Sequence, residues 1–273
     1  MDAAALKRAI EEDRAAGMLP FCVVATVGTT STTSIDPVPA IADVCERERL
    51  WLHVDAAYAG SAAVVPEMRH VLAGCERADS LVTNPHKWLF TPFDLSALYC
   101  RRLDVLRRAF TLTPEYLRTT EAGEVRNGSD YGVQLGRRFR ALKLWMILRY
   151  FGHEGLVARI REHCRLAREF AGWVGESPEW ELLAPVPFSV VCFRARTRVE
   201  GEADEQASVR LDALNERLMN AANATGEIFL SHTKLNGVFT LRLAVGNIRT
   251  TEAHVQSVWQ LLNKKLEEFS SEA

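Results

Sequence analysis

The stretch "DSLVTNPHKWLF", residues 79–90, carries a short run of apolar and β-branched residues that stops at Asn84-Pro85 and is followed at once by His86 and Lys87. A strand that ends this way leaves two basic side chains at its carboxyl end. Upstream, "LWLHVDAAY" at 50–58 has the same form, an apolar run closing on the carboxylate of Asp55. "FCVVATVGTT" at 21–30 is nearly continuous in apolar residues, as expected of a strand covered on both faces, and ends in Thr29-Thr30. "LSALYCRR" at 95–102 supplies a fourth strand. Helical patterns lie between them. The opening "MDAAALKRAIEEDRAAG" has Asp2 as N-cap and Gly17 as a stop, "DPVPAIADVCERER" starts a helix near Pro37, and "PEMRHVLAGCER" at 66–77 reads as another. Strands alternating with helices predict a mainly parallel α/β sheet, in which ligands sit outside the carboxyl ends of the strands. Thr30, Asp55 and Lys87 therefore converge on one rim.

The pattern changes near residue 137, which divides the chain into domains 1–137 and 138–273. "RRFRALKLWMILRYFG" and "EGLVARIREHCRLAREFAGWV" are two helices with apolar stripes, separated by Gly152. Beyond them come a strand in "FSVVCFRAR", a helix in "SVRLDALNERLMNAANATG", two strands joined by Asn236-Gly237, and a closing helix in "EAHVQSVWQLLNKKLEEF". Asn-Gly between two apolar runs is a strong hairpin signal. This portion reads as a smaller α+β domain.

Composition narrows the function. The 273 residues are 48% hydrophobic and 25% charged, enough to bury a large core. The net charge of −2 arises from 33 basic and 35 acidic residues spread along the chain, so neither nucleic acid nor an anionic membrane is indicated as a partner. A small-molecule substrate is favoured. The six cysteines lack Cys-x-x-Cys spacing, which argues against a zinc knuckle or a disulfide framework and fits a reducing cytoplasm. No metal-ligand spacing appears among the histidines. No apolar run reaches membrane-spanning length, and the first residues lack the pattern of a signal peptide.

A lysine closing a buried strand is placed to act as a neutral amine nucleophile that condenses with a carbonyl. A carboxylate on the neighbouring strand can keep a pyridine nitrogen protonated, which makes pyridoxal phosphate (PLP) an effective electron sink. The competing reading is an ion pair between Asp55 and Lys87, and spacing alone favours neither.

"LWLHVDAAYAGSAAVVPEMRH" followed by "ADSLVTNPHKW" resembles the group II PLP-dependent decarboxylases, and closely the aromatic L-amino-acid decarboxylases. "VATVGTTSTTSIDPV", "TPEYLR", "GVQLGRRFRALKLWMILRYFG" and "FTLRLAVGN" resemble the same family in the same order. The resemblance implies the aspartate aminotransferase-like fold (fold type I), with a partial large domain, and a homodimer. It implies that Lys87 bonds the cofactor, that Asp55 pairs with its ring nitrogen, and that Ala57 packs against the ring. It places Thr30 near the ring oxygen and Ser80, Asn84 and His86 around the phosphate. Tyr116 matches a loop tyrosine that returns a proton after carbon dioxide leaves, where a phenylalanine accompanies aldehyde synthesis in related plant enzymes. Gly136 matches a position where glycine goes with indolic substrates in plants. The family's front portion has no counterpart here, so a non-catalytic fragment or one half of a two-chain enzyme stands as the alternative to an active decarboxylase.

Overall fold

The computed structural model describes residues 1–111, 128–197 and 203–271. It forms two compact units, one of Met1–Val27, Asp36–Ala63 and Glu67–Gly152, the other of Gly28–Ile35, Val64–Pro66 and His153–Ala273. The main division thus falls at Gly152, later in the chain than residue 137. Gly152 has φ 62° and ψ 179°, a conformation open essentially to glycine alone, and it parts the helical stretch α5 (Arg140–Glu176) into two runs.

In the first unit, α1 (Ala3–Ala15) is capped by Asp2, whose carboxylate accepts the Ala5 N–H at 2.6 Å. Strands β1 (Cys22–Thr26), β2 (Trp51–Asp55), β3 (Ser80–Thr83) and β4 (Ala97–Cys100) form a sheet in that order. The first two pairings are parallel and the third is antiparallel. Helix α2 (Val38–Glu48) begins directly after Pro37 and packs on β1 and β2, burying Val38, Ile41, Ala42, Val44 and Cys45.

Two expectations are corrected here. Burial alternates along β1 and β2, with Val24 half exposed between the buried Val23 and Ala25, so β1 is not covered on both faces among the described residues. α2 covers one face only, which imposes a period of two. Residues 66–77 form two 3₁₀ segments, Pro66–Leu72 and Cys75–Arg77, instead of one α-helix. Gly74 breaks the run at φ 84°, and a Cβ there would stand 2.8 Å from the Pro39 backbone nitrogen.

The second unit is built on an antiparallel sheet of order β5 (Trp180–Leu182), β6 (Val190–Ala195), β8 (Val238–Ala244) and β7 (Ser231–Leu235). Asn236 and Gly237 both have positive φ, 50° and 83°, as a type I′ hairpin turn requires. The later run of α5 packs with α6 (Asp204–Ala224) and α7 (Glu252–Ser271) around a core that includes Phe170, Trp180, Phe193, Leu218, Leu241 and Leu262. Asn215 is fully buried within it. Its side chain accepts the Ala195 N–H at 2.8 Å and donates to the Ala195 and Leu211 carbonyls at 3.0 and 2.8 Å.

Candidate active site

The rim is assembled by backbone bonds that fix where each strand stops. Val27 N–H donates to Asp55 O at 2.8 Å, Ala56 N–H to Val82 O at 2.9 Å, and Asn84 N–H to Ala57 O at 3.0 Å. Beyond β3, Asn84 precedes the one-turn helix α3 (Pro85–Trp88), and its carbonyl accepts the Lys87 N–H at 2.8 Å. Pro85 and Trp88 are buried, which anchors the turn and turns Lys87 outward. Trp88 stacks on Tyr58 with centroids 4.8 Å apart and ring planes 10° from parallel. Gly60 closes the same corner, because a Cβ there would lie 2.6 Å from Thr83 Oγ1.

Asp55 ends β2 with its carboxylate oriented by the chain itself, as Oδ1 accepts the Ala57 N–H at 3.0 Å. Among the described residues Oδ2 has no hydrogen-bond partner, and Asp55 and Lys87 form no ion pair. That disposes of the ion-pair reading. Lys87 is exposed among the described residues, contrary to the expectation of a lysine desolvated by its strand, because it sits on α3 and not within β3. Ala57 is buried and carries only a methyl group.

The three residues expected around a phosphate are placed differently from one another. Asn84 Oδ1 accepts the Ser96 hydroxyl at 2.6 Å, and His86 lies edge-on to Phe93 with Nδ1 3.0 Å from the Leu95 N–H and 2.5 Å from the Leu95 carbonyl. The imidazole nitrogen serves one of those two groups at a time. His86 is next to Lys87 in the chain, and Asn84 precedes it by three residues. Ser80 is a correction. It opens β3 at its amino end, in register with His53, while Val82 faces Asp55. Its hydroxyl accepts the Trp51 Nε1–H at 2.9 Å and lies 2.8 Å from His53 Nδ1, so it serves the sheet and not the rim. Burial pushes the His53 imidazole below its usual range, against a smaller opposing pull from Asp55. The Ser80 hydroxyl thus bridges the Trp51 indole and the His53 imidazole.

Thr30 belongs to the second unit, on the loop that follows β1, and is exposed. Tyr116 lies outside the described residues. Sequence reasoning missed the roles of Gly60 and of the Tyr58–Trp88 stack. A glycine two residues after Tyr58 was the available signal, but only the sheet reveals that Thr83 presses on it. Among the described residues no group of three or more His, Cys, Asp or Glu side chains could hold a metal ion, and no helix is long and apolar enough to cross a membrane.

A sheet rim with an outward lysine, an oriented carboxylate and a small buried neighbour is a setting in which an amine can meet a carbonyl beside a fixed negative charge, as in enzymes that use a carbonyl-bearing heteroaromatic cofactor. The chain belongs to the pyridoxal-dependent decarboxylase family, whose conserved domain matches residues 1–196. It is 45% identical to tryptophan decarboxylase TDC1 of Camptotheca acuminata over 95% of this chain and 51% of that protein. It is 41% identical to phenylacetaldehyde synthase of Arabidopsis thaliana, over 95% of this chain and 52% of that protein. Its fold matches a crystal structure of Oryza sativa TDC with PLP and tryptamine at a TM-score of 0.91 and 43% identity, covering 98% of this chain and 55% of that one. The chain spans about half the length of the curated relatives it matches.

Proposed function

We propose that this chain carries the lysine-bearing half of a PLP-dependent enzyme that decarboxylates an aromatic L-amino acid of the tryptophan, tyrosine or DOPA class to its amine. The observation that carries the reading is the rim itself, where an oriented Asp55 ends β2 and Lys87 follows the end of the adjacent parallel strand β3 on α3, without neutralising each other. The donor set fits the cofactor. An outward amine suits the aldehyde, a fixed carboxylate suits the pyridinium nitrogen, and Ala57 leaves room for the ring.

PLP, when bound, supplies an electron-withdrawing ring that drains charge from the substrate as carbon dioxide departs. The chain's residues do the rest. Lys87 Nζ provides the amine that holds the cofactor's aldehyde. Asp55 keeps a proton on the ring nitrogen, with its orientation fixed by the Ala57 N–H. Asn84 and His86 would bring hydrogen-bonding groups to the phosphate, and the family resemblance gives Thr30 a place near the ring oxygen. Tyr116 returns the proton to the substrate carbon. The family resemblance supports a homodimer, and Gly136 makes tryptophan the first substrate to test.

Aldehyde synthesis is the second reading, favoured by the likeness to phenylacetaldehyde synthase. Product analysis with tryptophan, tyrosine and DOPA separates the two. Amine and carbon dioxide in equal amounts support the decarboxylase, and ammonia with hydrogen peroxide supports the synthase. Release of none of these by the chain joined to the portion of a relative that it does not match would sink both.

A further inference from the structure

The loop 28–35 after β1 contains six consecutive hydroxyl residues, Thr29 to Ser34. Its neck is closed from within. Gly28 and Thr29 N–H both donate to Ser34 O at 3.0 Å, and Ser34 N–H donates to Thr29 Oγ1 at 3.0 Å. Thr33 N–H also returns to Thr29 O at 2.9 Å. These bonds tie the loop into one closed turn, and its tip is gripped by the sheet of the second unit.

That grip comes mainly from one side chain. Arg242 lies in β8 between the buried Leu241 and Leu243 and is the one charged residue of that strand. Its Nη2 donates to Thr30 O at 2.7 Å and its Nε to Ser31 O at 2.8 Å, while Nη1 donates to Ser231 Oγ at 2.9 Å. Two consecutive loop carbonyls are thus held by the guanidinium fork, which is anchored in turn to β7. Cys192 Sγ at 3.3 Å from Ser31 O and Thr233 Oγ1 at 3.0 Å from Ser31 Oγ add weaker contacts. A lysine in place of Arg242 could not reach both carbonyls, because an ammonium is a point donor without the planar fork.

We propose that Arg242 is a positioning residue that fixes the hydroxyl loop, and with it the Thr30 side chain to which the functional reading gives a cofactor role. The proposal rests on the role given to Thr30 above. Arg242 does not touch the cofactor, and acts through the main chain of residues 30 and 31.

The experiment uses the full chain as wild type, Arg242→Gln, Arg242→Lys, Thr30→Val and the two Arg242 variants each combined with Thr30→Val. Amide hydrogen exchange of residues 29–34 is read without cofactor, and the dissociation constant for PLP is read by titration. Both Arg242 variants should exchange about tenfold faster in the loop while the β6 and β8 amides stay protected. Both should bind PLP about tenfold more weakly, the scale of a lost charged hydrogen bond. Adding Thr30→Val should weaken binding little further, because the two residues act through one loop. Arg242→Lys keeps the charge and stem, so it carries the test if Arg242→Gln does not fold. Unchanged loop exchange, or losses of PLP affinity that simply add, would overturn the proposal. Failure of the wild-type chain to take PLP at Lys87 would overturn the functional reading instead, with the exchange arm still deciding whether Arg242 holds the loop.

Discussion

Asp55 ends β2, Lys87 follows the end of the neighbouring parallel strand β3, and the two do not pair, since the Asp55 carboxylate is held by the Ala57 N–H and Lys87 points outward from α3. In the absence of cofactor their contributions to stability should be independent. Asp55→Ala and Lys87→Ala should sum in the double variant to within about 0.5 kcal/mol by urea denaturation. A larger coupling would restore the ion-pair reading.

Asp55→Asn keeps the shape and removes the charge that holds a proton on the ring nitrogen. PLP retention should fall by roughly tenfold or more, the worth of a charged hydrogen bond, while the melting temperature of the cofactor-free chain changes little. Dialysis followed by absorbance of the remaining cofactor measures it. Full retention would remove Asp55 from the site.

The close approach of Gly60 to Thr83 makes Gly60→Ala costly. A methyl group 2.6 Å from Thr83 Oγ1 and 3.0 Å from its Cβ should cost about 1–3 kcal/mol. Adding Thr83→Ala should recover part of that loss, as it removes the nearer of the two atoms. Denaturation midpoints of the three variants decide it.

His53 and His163 are both pushed below the usual histidine range, chiefly by burial. Each is held neutral in the folded chain and takes up a proton more readily when unfolded. Stability from this source is therefore complete above the ordinary histidine pKa of about 6.5 and declines as pH falls below it. Denaturation at about pH 8 and about pH 5.5 should show the loss, and His53→Gln should reduce it. Ser80→Ala strands the Trp51 N–H and the His53 Nδ1, and should cost about 1–3 kcal/mol with no change in PLP affinity. A fall in PLP affinity would return Ser80 to the cofactor site.

Asn215 joins β6 to α6 with three buried hydrogen bonds. Asn215→Leu leaves the Ala195 N–H and carbonyl without partners, while the Leu211 carbonyl keeps its helical bond, and should destabilise the second unit by about 1–3 kcal/mol per orphaned group. A melt as stable as wild type would mean that those groups find other partners.

Much of the fold was readable from local signals. The four strands of the first sheet, the Asp2 cap, the Asn236-Gly237 turn and the break at Gly152 each follow from a residue type whose backbone preference is strong. Errors arose where tertiary packing decided the outcome. The segment 66–77 has a helical spacing, but Gly74 must pass against Pro39, and the segment breaks into 3₁₀ turns. The order of Asp55 and Lys87 along the rim was legible because strand ends were. The engagement of Ser80 by Trp51 and His53 was not, since it depends on the register of β2 with β3. Nor was the exposure of Lys87, which depends on the one-turn helix that follows Asn84.

The most direct test of the central claim is to incubate the purified chain with PLP, reduce with borohydride, and locate the adduct by peptide mass spectrometry. The account predicts a single adduct on Lys87, lost in Lys87→Ala and weakened in Asp55→Ala. Labelling spread over many surface lysines, or selective labelling at another lysine, would contradict it.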